Sequence, residues 1–308
     1  MGALMALAAF AVFSTHDAVI KVVAERYSPV QIVFCIALFS FPIVLLMLIR
    51  DPVPGTLRPR NPGWMAVRAT AVAISSVLGF YAFSVLPMAQ VYAILFATPL
   101  MITLMAIPIL GEKVGLRRGI AILVGMGGVL IVLRPGGGDG LSLGHLAALL
   151  AATAGATTSV IARRIGREER TAVMLLYGLS GNFVLMGVLM PFVYRPMPGL
   201  DAVMMIAIAV MGSTAMALIV QAYRRAEAVV VAPMQYSQIL WAVVYGALFF
   251  DEVPDVLTLV GAGVVIASGL YILGREARGK ASATTPVLGA QARSSAAVVP
   301  GAGPDQPH

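Results

Sequence analysis

Ten apolar segments, each about 20 residues long, follow one another along this 308-residue chain. An α-helix rises ~1.5 Å per residue, so about 20 residues cross the ~30 Å hydrocarbon core of a bilayer. A backbone inside lipid must satisfy its own hydrogen bonds, which favours helices. We therefore predict an all-α integral membrane protein embedded in the lipid bilayer. The ten predicted transmembrane helices cover residues 2–22, 30–49, 64–85, 88–110, 116–133, 142–162, 172–193, 202–221, 228–250 and 256–273.

The composition agrees and also excludes several kinds of site. Hydrophobic residues make up 59% of the chain and charged residues only 11%, whereas soluble domains are roughly a quarter charged. The single cysteine, Cys35, excludes a disulfide framework and a cysteine metal site. Residues 274–280 have the spacing of a phosphate-binding loop, but Ala281 stands where Ser or Thr would hold magnesium. We therefore predict no enzyme activity, no metal and no cofactor.

The plan of the fourth and fifth segments recurs in the second half of the chain. In 88–134 an apolar run, the turn at Glu112 and a glycine-rich run follow one another, and 228–274 repeats this order around Glu252. The pattern predicts two repeats of five helices each, at 1–135 and 136–274. Because five is an odd number, the second repeat enters the membrane from the opposite side, as in many secondary transporters with inverted repeats.

Basic residues set the predicted orientation. If the amino terminus is inside, seventeen of the 21 lysines and arginines fall on the inner side. The positive-inside rule then places both termini in the cytoplasm. Residues 275–308, rich in Ala, Gly, Ser and Pro, are predicted to form a disordered cytoplasmic tail. The topology accounts for the net charge of +7, so we predict no nucleic-acid partner.

Three short motifs stand near the amino terminus, at 14–21 (STHDAVIK), 27–29 (YSP) and 31–34 (QIVF). Together with the ten-helix plan, they resemble the EamA-type branch of the drug/metabolite transporter superfamily. The resemblance covers nearly all of the chain except the tail. It implies a carrier of the bacterial inner membrane, often an exporter of amino acids or other metabolites, that alternates between inward-open and outward-open states. Many members have an arginine just after the position of Phe34, where this chain has Cys35, so no role is transferred from that arginine.

Glycines are frequent in the fifth and tenth segments. The resemblance implies that the first four helices of each repeat line the cavity and that these two stay peripheral. Small residues allow close backbone approach, so they predict helix packing or a homodimer face. The glycines concerned are Gly115, Gly119, Gly125, Gly127, Gly128, Gly261, Gly263 and Gly269.

Asp17 is the acidic residue that lies clearly within a predicted span, and His16 adjoins it. A charged group in hydrocarbon is costly, which marks it as a functional candidate. Asp17 and His16 are thus predicted to bind a proton or a substrate amine. The alternative is that Asp17 only pairs with Lys21, four residues further along the same helix.

The ninth segment is unusually polar near its centre. Gln235 and Gln238 are three residues apart and share a helix face, where they could hydrogen-bond an amino acid or an amide-like solute. Tyr236 lies between them, and Trp241 could supply a stacking or cation-π wall. The alternative is that these groups only hydrogen-bond neighbouring helices.

Other polar residues near span centres complete the predicted substrate site. Serines in helices mostly hydrogen-bond their own backbone, and a tyrosine near a membrane interface is common, so each also has a structural explanation. The additional candidates are Ser75, Ser76, Thr98, Asn182 and Tyr81.

Together these features predict a secondary transporter that moves a small metabolite, an amino acid or related solute or a drug-like cation, by alternating access. Export is the favoured direction. Import on the same fold and a membrane-embedded lipid-processing enzyme are the alternatives. The sequence leaves open the substrate, the coupling ion and the oligomeric state.

Overall fold

The computed structural model describes residues 1–49, 56–112, 114–135, 141–166 and 168–278, and within these ranges all regular structure is helical. The elements are α1 (Gly2–Ala24), α2 (Pro29–Ile49), α3 (Pro62–Val85), α4 (Met88–Leu95), α5 (Thr98–Leu110), α6 (Leu116–Leu133), α7 (Leu143–Ile165), α8 (Thr171–Val193), α9 (Gly199–Arg225), α10 (Ala228–Val231), a 3-10 segment (Ala232–Ser237), α11 (Gln238–Phe249) and α12 (Val256–Arg278).

Nine helical segments of the described residues are long and apolar enough to cross a membrane. One of them, Met88–Leu110, comprises α4 and α5. The ninth predicted segment, 228–250, is helical in three pieces, and so it does not form one continuous membrane-length helix. The prediction of an all-α integral membrane protein is confirmed.

Two helices extend further than hydropathy predicts. Helix α9 ends at Arg225, four residues after the predicted end, and α12 continues to Arg278, into the predicted tail. Both extensions carry arginines, which interact favourably with the negative end of a helix dipole but do not count as apolar residues. The rest of the predicted tail, 279–308, lies outside the described residues, as do residues 136–140.

The fourth and ninth predicted segments are interrupted at matching positions. Helix α4 ends at Leu95 and α5 begins at Thr98, while the 3-10 segment ends at Ser237 and α11 begins at Gln238. Gln238 is the position that corresponds to Thr98 in the predicted second repeat. Pro99 lies in the first turn of α5, where its missing N–H is tolerated. The Thr98 hydroxyl donates to the Leu95 carbonyl at 2.6 Å across the interruption. Interrupted helices of this kind expose backbone groups inside a bundle.

The helices pack across the two halves of the chain. Helix α1 packs against α9, and α7 packs against α3. Helices α2 and α8 contact each other, and α6 lies along α12. In addition, α1 contacts the 3-10 segment and α11, just as α7 contacts α4 and α5. The main helix contacts therefore join the two halves into one bundle.

Glycines allow the close approach of α6 and α12. A Cβ atom on Gly128 would lie 2.8 Å from the Gly261 carbonyl oxygen, and one on Gly261 would lie 2.7 Å from the Gly128 carbonyl oxygen. Gly125 faces Ser268, whose hydroxyl donates to the Ala121 carbonyl. The predicted role in helix packing is therefore seen within one chain at Gly125, Gly128 and Gly261, whereas a Cβ atom on Gly115, Gly119, Gly127 or Gly263 would have no neighbour within 4 Å. The homodimer stays a prediction.

Candidate functional site

Five polar side chains from α1, α4 and α11 meet in the bundle. The Tyr92 hydroxyl donates to Asp17 Oδ2 at 2.5 Å, and the Gln238 amide donates to the Tyr92 oxygen at 3.5 Å. Asp17 Oδ1 lies 2.8 Å from His16 Nδ1, and Ser14 Oγ lies 3.5 Å from the Tyr92 hydroxyl. We call Ser14, His16, Asp17, Tyr92 and Gln238 the Asp17 cluster.

Local helix geometry brings the Asp17 cluster together. Ser14 and Asp17 are three residues apart in α1, so they share a face. Tyr92 projects from the short helix α4, and Gln238 is the first residue of α11, directly after the interrupted stretch of the ninth segment. The cluster therefore depends on both interrupted segments.

The Asp17 side chain stays partly accessible. It is 14% exposed, whereas Ser14 is fully buried and Tyr92 is 3% exposed. The Tyr92 ring is fixed by an edge-on contact with Phe83, at a centroid distance of 5.3 Å. The carboxylate thus has a packed hydrogen-bond donor on one side and keeps some accessible surface for an incoming group.

The His16 ring is held among aromatic rings. Phe13 and Phe80 lie edge-on to it at centroid distances of 6.4 and 6.3 Å, and a Cβ atom on Gly212 of α9 would lie 3.4 Å from His16 Nε2. This packing keeps Nδ1 directed at Asp17.

An aromatic pair continues the site along α11. Trp241 stacks on Tyr245 at a centroid distance of 6.0 Å, and the Tyr245 hydroxyl lies 2.8 Å from Thr15 Oγ1. Gln238, Trp241 and Tyr245 follow the i, i+3, i+7 spacing of one helix face. Trp241 therefore lies on the same face of α11 as Gln238, and its stacking partner Tyr245 makes the contact with α1.

Lys21 does not form the ion pair with Asp17 that was one alternative. Its ammonium group lies 2.7 Å from Glu252 Oε1 and donates to the Leu86 carbonyl at 2.6 Å. Asp17 instead bonds to Tyr92 and His16. The i, i+4 spacing permitted the Asp17–Lys21 contact, but the packed structure gives Lys21 partners outside α1. That interpretation of Asp17 was wrong.

Tyr236 lies apart from the Asp17 cluster. Its ring is 6% exposed and meets Phe96 edge-on at 5.0 Å, and its hydroxyl approaches Gly269 of α12. The hydroxyl is buried without a hydrogen-bond partner among the described residues. Tyr236 therefore belongs to the core between α4 and α12, while Gln235 is half-buried in the 3-10 segment.

The remaining candidates are spread over α3, α5 and α8. Ser75 donates to the Ala151 carbonyl at 3.0 Å, and both Ser75 and Thr98 lie within 4 Å of the Cβ position of Gly155 on α7. The Oδ1 atom of Asn182 is buried and has no hydrogen-bond partner among the described residues. Ser76 is half-buried, and Tyr81 packs against the largest hydrophobic core. The structure does not join these residues to the Asp17 cluster.

Tyr92, Tyr245, Ser14 and Thr15 were not among the predicted site residues. Hydropathy does not mark them, because Ser and Thr are common in membrane helices and a tyrosine near a membrane interface is ordinary. The spacing of Ser14 and Asp17 was the available signal, since a polar pair at i, i+3 forms a continuous polar face.

Comparison with known proteins identifies the family. The EamA-like transporter family matches residues 1–134 and again 142–274. The pseudopaline exporter CntI of Pseudomonas aeruginosa (strain UCBPP-PA14) is 25% identical over 279 residues, covering 90% of this chain and 97% of its own. An S-adenosylmethionine uptake transporter of Rickettsia bellii is 26% identical over 266 residues, covering 85% of this chain and 90% of its own.

A solved crystal structure has the same fold. It covers 90% of this chain and 97% of its own, with a TM-score of 0.58 and 16% sequence identity. The resemblance to the drug/metabolite transporter superfamily is confirmed by the family match and the relatives, as is the prediction that the chain is not an enzyme. The chain belongs to the EamA-like transporter family and is a multi-pass membrane protein that transports a small molecule.

Proposed function

We propose that this protein is a secondary transporter that exports an amino-acid-related metabolite across the bacterial inner membrane by alternating access. The observation that carries the proposal is the Asp17 cluster, a partly accessible carboxylate inside an apolar bundle. A carboxylate in a low-dielectric site attracts a protonated amine more strongly than in water. Amino acids, polyamines and cationic drugs all carry such a group.

The proposed binding site consists of the Asp17 cluster and the adjoining face of α11. Asp17 would accept hydrogen bonds from a substrate ammonium group, and Gln238 would bind a carbonyl or carboxylate. Trp241 would cover the apolar part of the solute, because an indole ring favours both apolar groups and cations. Tyr236 is buried in the core and Tyr81 packs against it, so both would support the walls of the site. The residues proposed to line the rest of the path are Gln235, Ser75, Ser76, Thr98 and Asn182.

Inverted repeats are part of the proposal. The crossed packing of α1 with α9 and of α7 with α3 is what two related halves would give. The separate family matches and the interruptions at corresponding positions of the two halves agree with it. In such transporters one half rocks against the other around a site near the bilayer midplane. With the predicted positive-inside orientation, both termini lie in the cytoplasm.

Asp17 also offers a means of proton coupling. A proton and a substrate ammonium group compete for the same carboxylate, so each would displace the other from the site. His16, 2.8 Å from Asp17, is placed to pass that proton on. Proton-driven exchange follows without any additional charged group.

Import is the second candidate function. It is favoured by one observation, the similarity to an S-adenosylmethionine uptake transporter. The same cavity serves both directions, since the driving gradient decides which way the solute moves. A growth assay separates the two.

The double substitution Gln238→Ala/Trp241→Ala is expected to lower transport about tenfold or more, because it removes a polar contact and the aromatic wall together. The measurement is growth of cells that express the chain on toxic levels of amino acids, dipeptides, polyamines or cationic drugs. If the protein exports the solute, cells that express it are expected to be resistant, and cells that express the double variant are expected to lose this resistance. Leu240→Ala is the matched control, because Leu240 lies on the same helix but is 67% exposed and so points away from the bundle.

Two results would contradict the proposal. Greater sensitivity of expressing cells would show import, not export. Unchanged transport kinetics in the double variant, for an identified substrate, would remove Gln238 and Trp241 from the site.

A further inference from the structure

Two largely buried ion pairs join the two halves of the chain. Glu252, in the turn after α11, pairs with Lys21 near the end of α1, and Glu112, in the turn after α5, pairs with Arg163 near the end of α7. The side chains of Glu112 and Arg163 are each 8% exposed, and those of Lys21 and Glu252 are 10% and 20% exposed. We call these contacts the Lys21 latch and the Arg163 latch.

The two latches have the same design. Glu112 and Glu252 occupy corresponding positions of the two repeats, each in the turn before the last helix of its own half. Lys21 and Arg163 both lie in the last turn of the first helix of their own half. In each case a glutamate that follows the fourth segment of one half therefore reaches the first helix of the other half.

The backbone of the two turns repeats as well. The residue before each glutamate has a positive φ, 70° at Gly111 and 52° at Asp251. The glutamate N–H then returns to a carbonyl six residues earlier, Ala106 at 3.4 Å for Glu112 and Gly246 at 2.9 Å for Glu252. A left-handed residue is uncommon outside glycine, and its occurrence at Asp251 indicates that the surroundings hold the turn geometry in place.

The latches lie at opposite ends of the bundle. Glu252 Oε2 accepts a hydrogen bond from the Met88 amide at 3.0 Å, so the Lys21 latch lies where α4 begins. Glu112 follows the other end of the same segment, Met88–Leu110. At ~1.5 Å per residue this segment spans about 34 Å, close to the thickness of a bilayer core. The two latches therefore lie at opposite ends of this segment.

A basic residue makes additional contacts beside each latch. Lys21 donates to the Leu86 carbonyl at 2.6 Å and lies 5.4 Å from the centroid of the Phe250 ring. At the other end, Arg164 donates to the Ile109 carbonyl and lies 4.7 Å from the centroid of the Trp64 ring. In both places a basic residue thus binds a backbone carbonyl at or just beyond one end of the Met88–Leu110 segment and lies over an aromatic ring.

A buried ion pair suits a contact that must open. Desolvation of the two charges offsets most of their attraction, so a closed pair is only slightly more stable than two hydrated charges. An apolar seal of equal size would resist opening, because its surfaces are not stabilised by water. Opening to water at one end would therefore cost little, because the two charges exposed there become hydrated.

We propose that the Lys21 latch and the Arg163 latch hold the two ends of the transport path closed, and that the transport cycle breaks one of them at a time. The inference deepens the proposed alternating-access function and rests on it. It assigns Lys21, Glu252, Glu112 and Arg163 as positioning residues that act on the halves of the chain and do not contact the solute.

Hydrogen–deuterium exchange of the purified full chain in lipid nanodiscs tests this proposal without any substrate. Glu252→Gln is expected to raise amide exchange about tenfold at residues 84–92 and 246–252, because it leaves Lys21 buried and unpaired. Residues 104–112 and 160–166 are expected to stay as protected as before. Glu112→Gln is expected to have the converse effect. Equal effects at both ends, or no effect at either, would overturn the proposal.

Control variants distinguish the loss of one latch from a general loss of stability. Asp255→Asn breaks the more exposed Arg134–Asp255 pair, and we expect unchanged exchange at both ends. The charge reversal Lys21→Glu/Glu252→Lys is expected to restore protection that Lys21→Glu alone removes. If the single variants do not fold, the reversed pair must still fold and protect 84–92, and its failure to do so would overturn the proposal. A screen that finds no transported amine would contradict the proposed function and leave this result unaffected.

Discussion

Replacing Asp17 with Asn is expected to lower the transport rate about 10- to 100-fold. Hydrogen bonds to a charged group contribute roughly 1.5–3 kcal/mol, and Asn keeps the shape of the side chain but removes its charge. Tyr92→Phe is expected to lower the transport rate less than Asp17→Asn does. It keeps the Asp17 carboxylate and removes only the hydroxyl that donates to Asp17 Oδ2 at 2.5 Å. The measurement is the initial rate of solute uptake into inside-out vesicles as a function of pH.

The pH dependence of that rate decides between the two roles of Asp17. If Asp17 carries the coupling proton, Asp17→Asn is expected to flatten the pH profile as well as to lower the rate. A lower rate with an unchanged profile would indicate substrate binding alone. If the variant kept both the rate and the pH dependence of the native chain, Asp17 would have no part in transport. Asp255→Asn, at an exposed carboxylate, is the matched control.

Replacing Gly128 with Ala is expected to destabilise the protein by about 1–3 kcal/mol, the usual cost of overpacking a tight contact. The added methyl group would lie 2.8 Å from the Gly261 carbonyl oxygen and 3.0 Å from Val264 Cβ, and the backbone atom cannot move aside without shifting α12. The measurement is the midpoint of thermal unfolding in detergent micelles.

Gly127→Ala is the matched control for this substitution. Gly127 is the adjacent residue of the same helix, and a Cβ atom there would meet no other atom of the described residues within 4 Å. Since Ala favours a helix more than Gly by up to about 1 kcal/mol, this variant is expected to be as stable as the native chain or more so. Equal effects of the two substitutions would show that α6 and α12 are not held together by the Gly128–Gly261 approach.

Polarity inside a membrane helix marked residues that turn out to have different surroundings in the structure. A charged or amide group there is expensive, so Asp17 and Gln238 were visible in the sequence as polar residues that need an explanation. The structure places them in one cluster. Tyr236 was selected on the same ground, as a polar residue within a span. Its ring is buried against Phe96, because an aromatic side chain with a single hydroxyl packs well in a core.

The interruptions in the helices were only partly predictable. Pro99 and Pro233 mark positions where a helical hydrogen bond is lost, and both lie in the first turn of the element that contains them. The change to a 3-10 segment over Ala232–Ser237, and not a simple kink, accompanies the packing of that stretch against α1 and α11. A proline pattern alone does not distinguish these outcomes.

The sequence by itself determined the architecture of this protein, because apolar runs of membrane length can satisfy their backbone only as helices, and these runs are local features. It also showed which polar residues lie within the membrane-spanning segments, where an unpaired polar group is costly. The pairing of those residues was decided by the tertiary structure alone. Asp17 had Lys21 four residues away, yet it bonds to Tyr92, while Lys21 bonds to Glu252 in the other half of the chain. In a low-dielectric interior a charged or polar group is strongly stabilised by a partner that the helix packing places beside it. The spacing of residues in the sequence does not show which helices pack together.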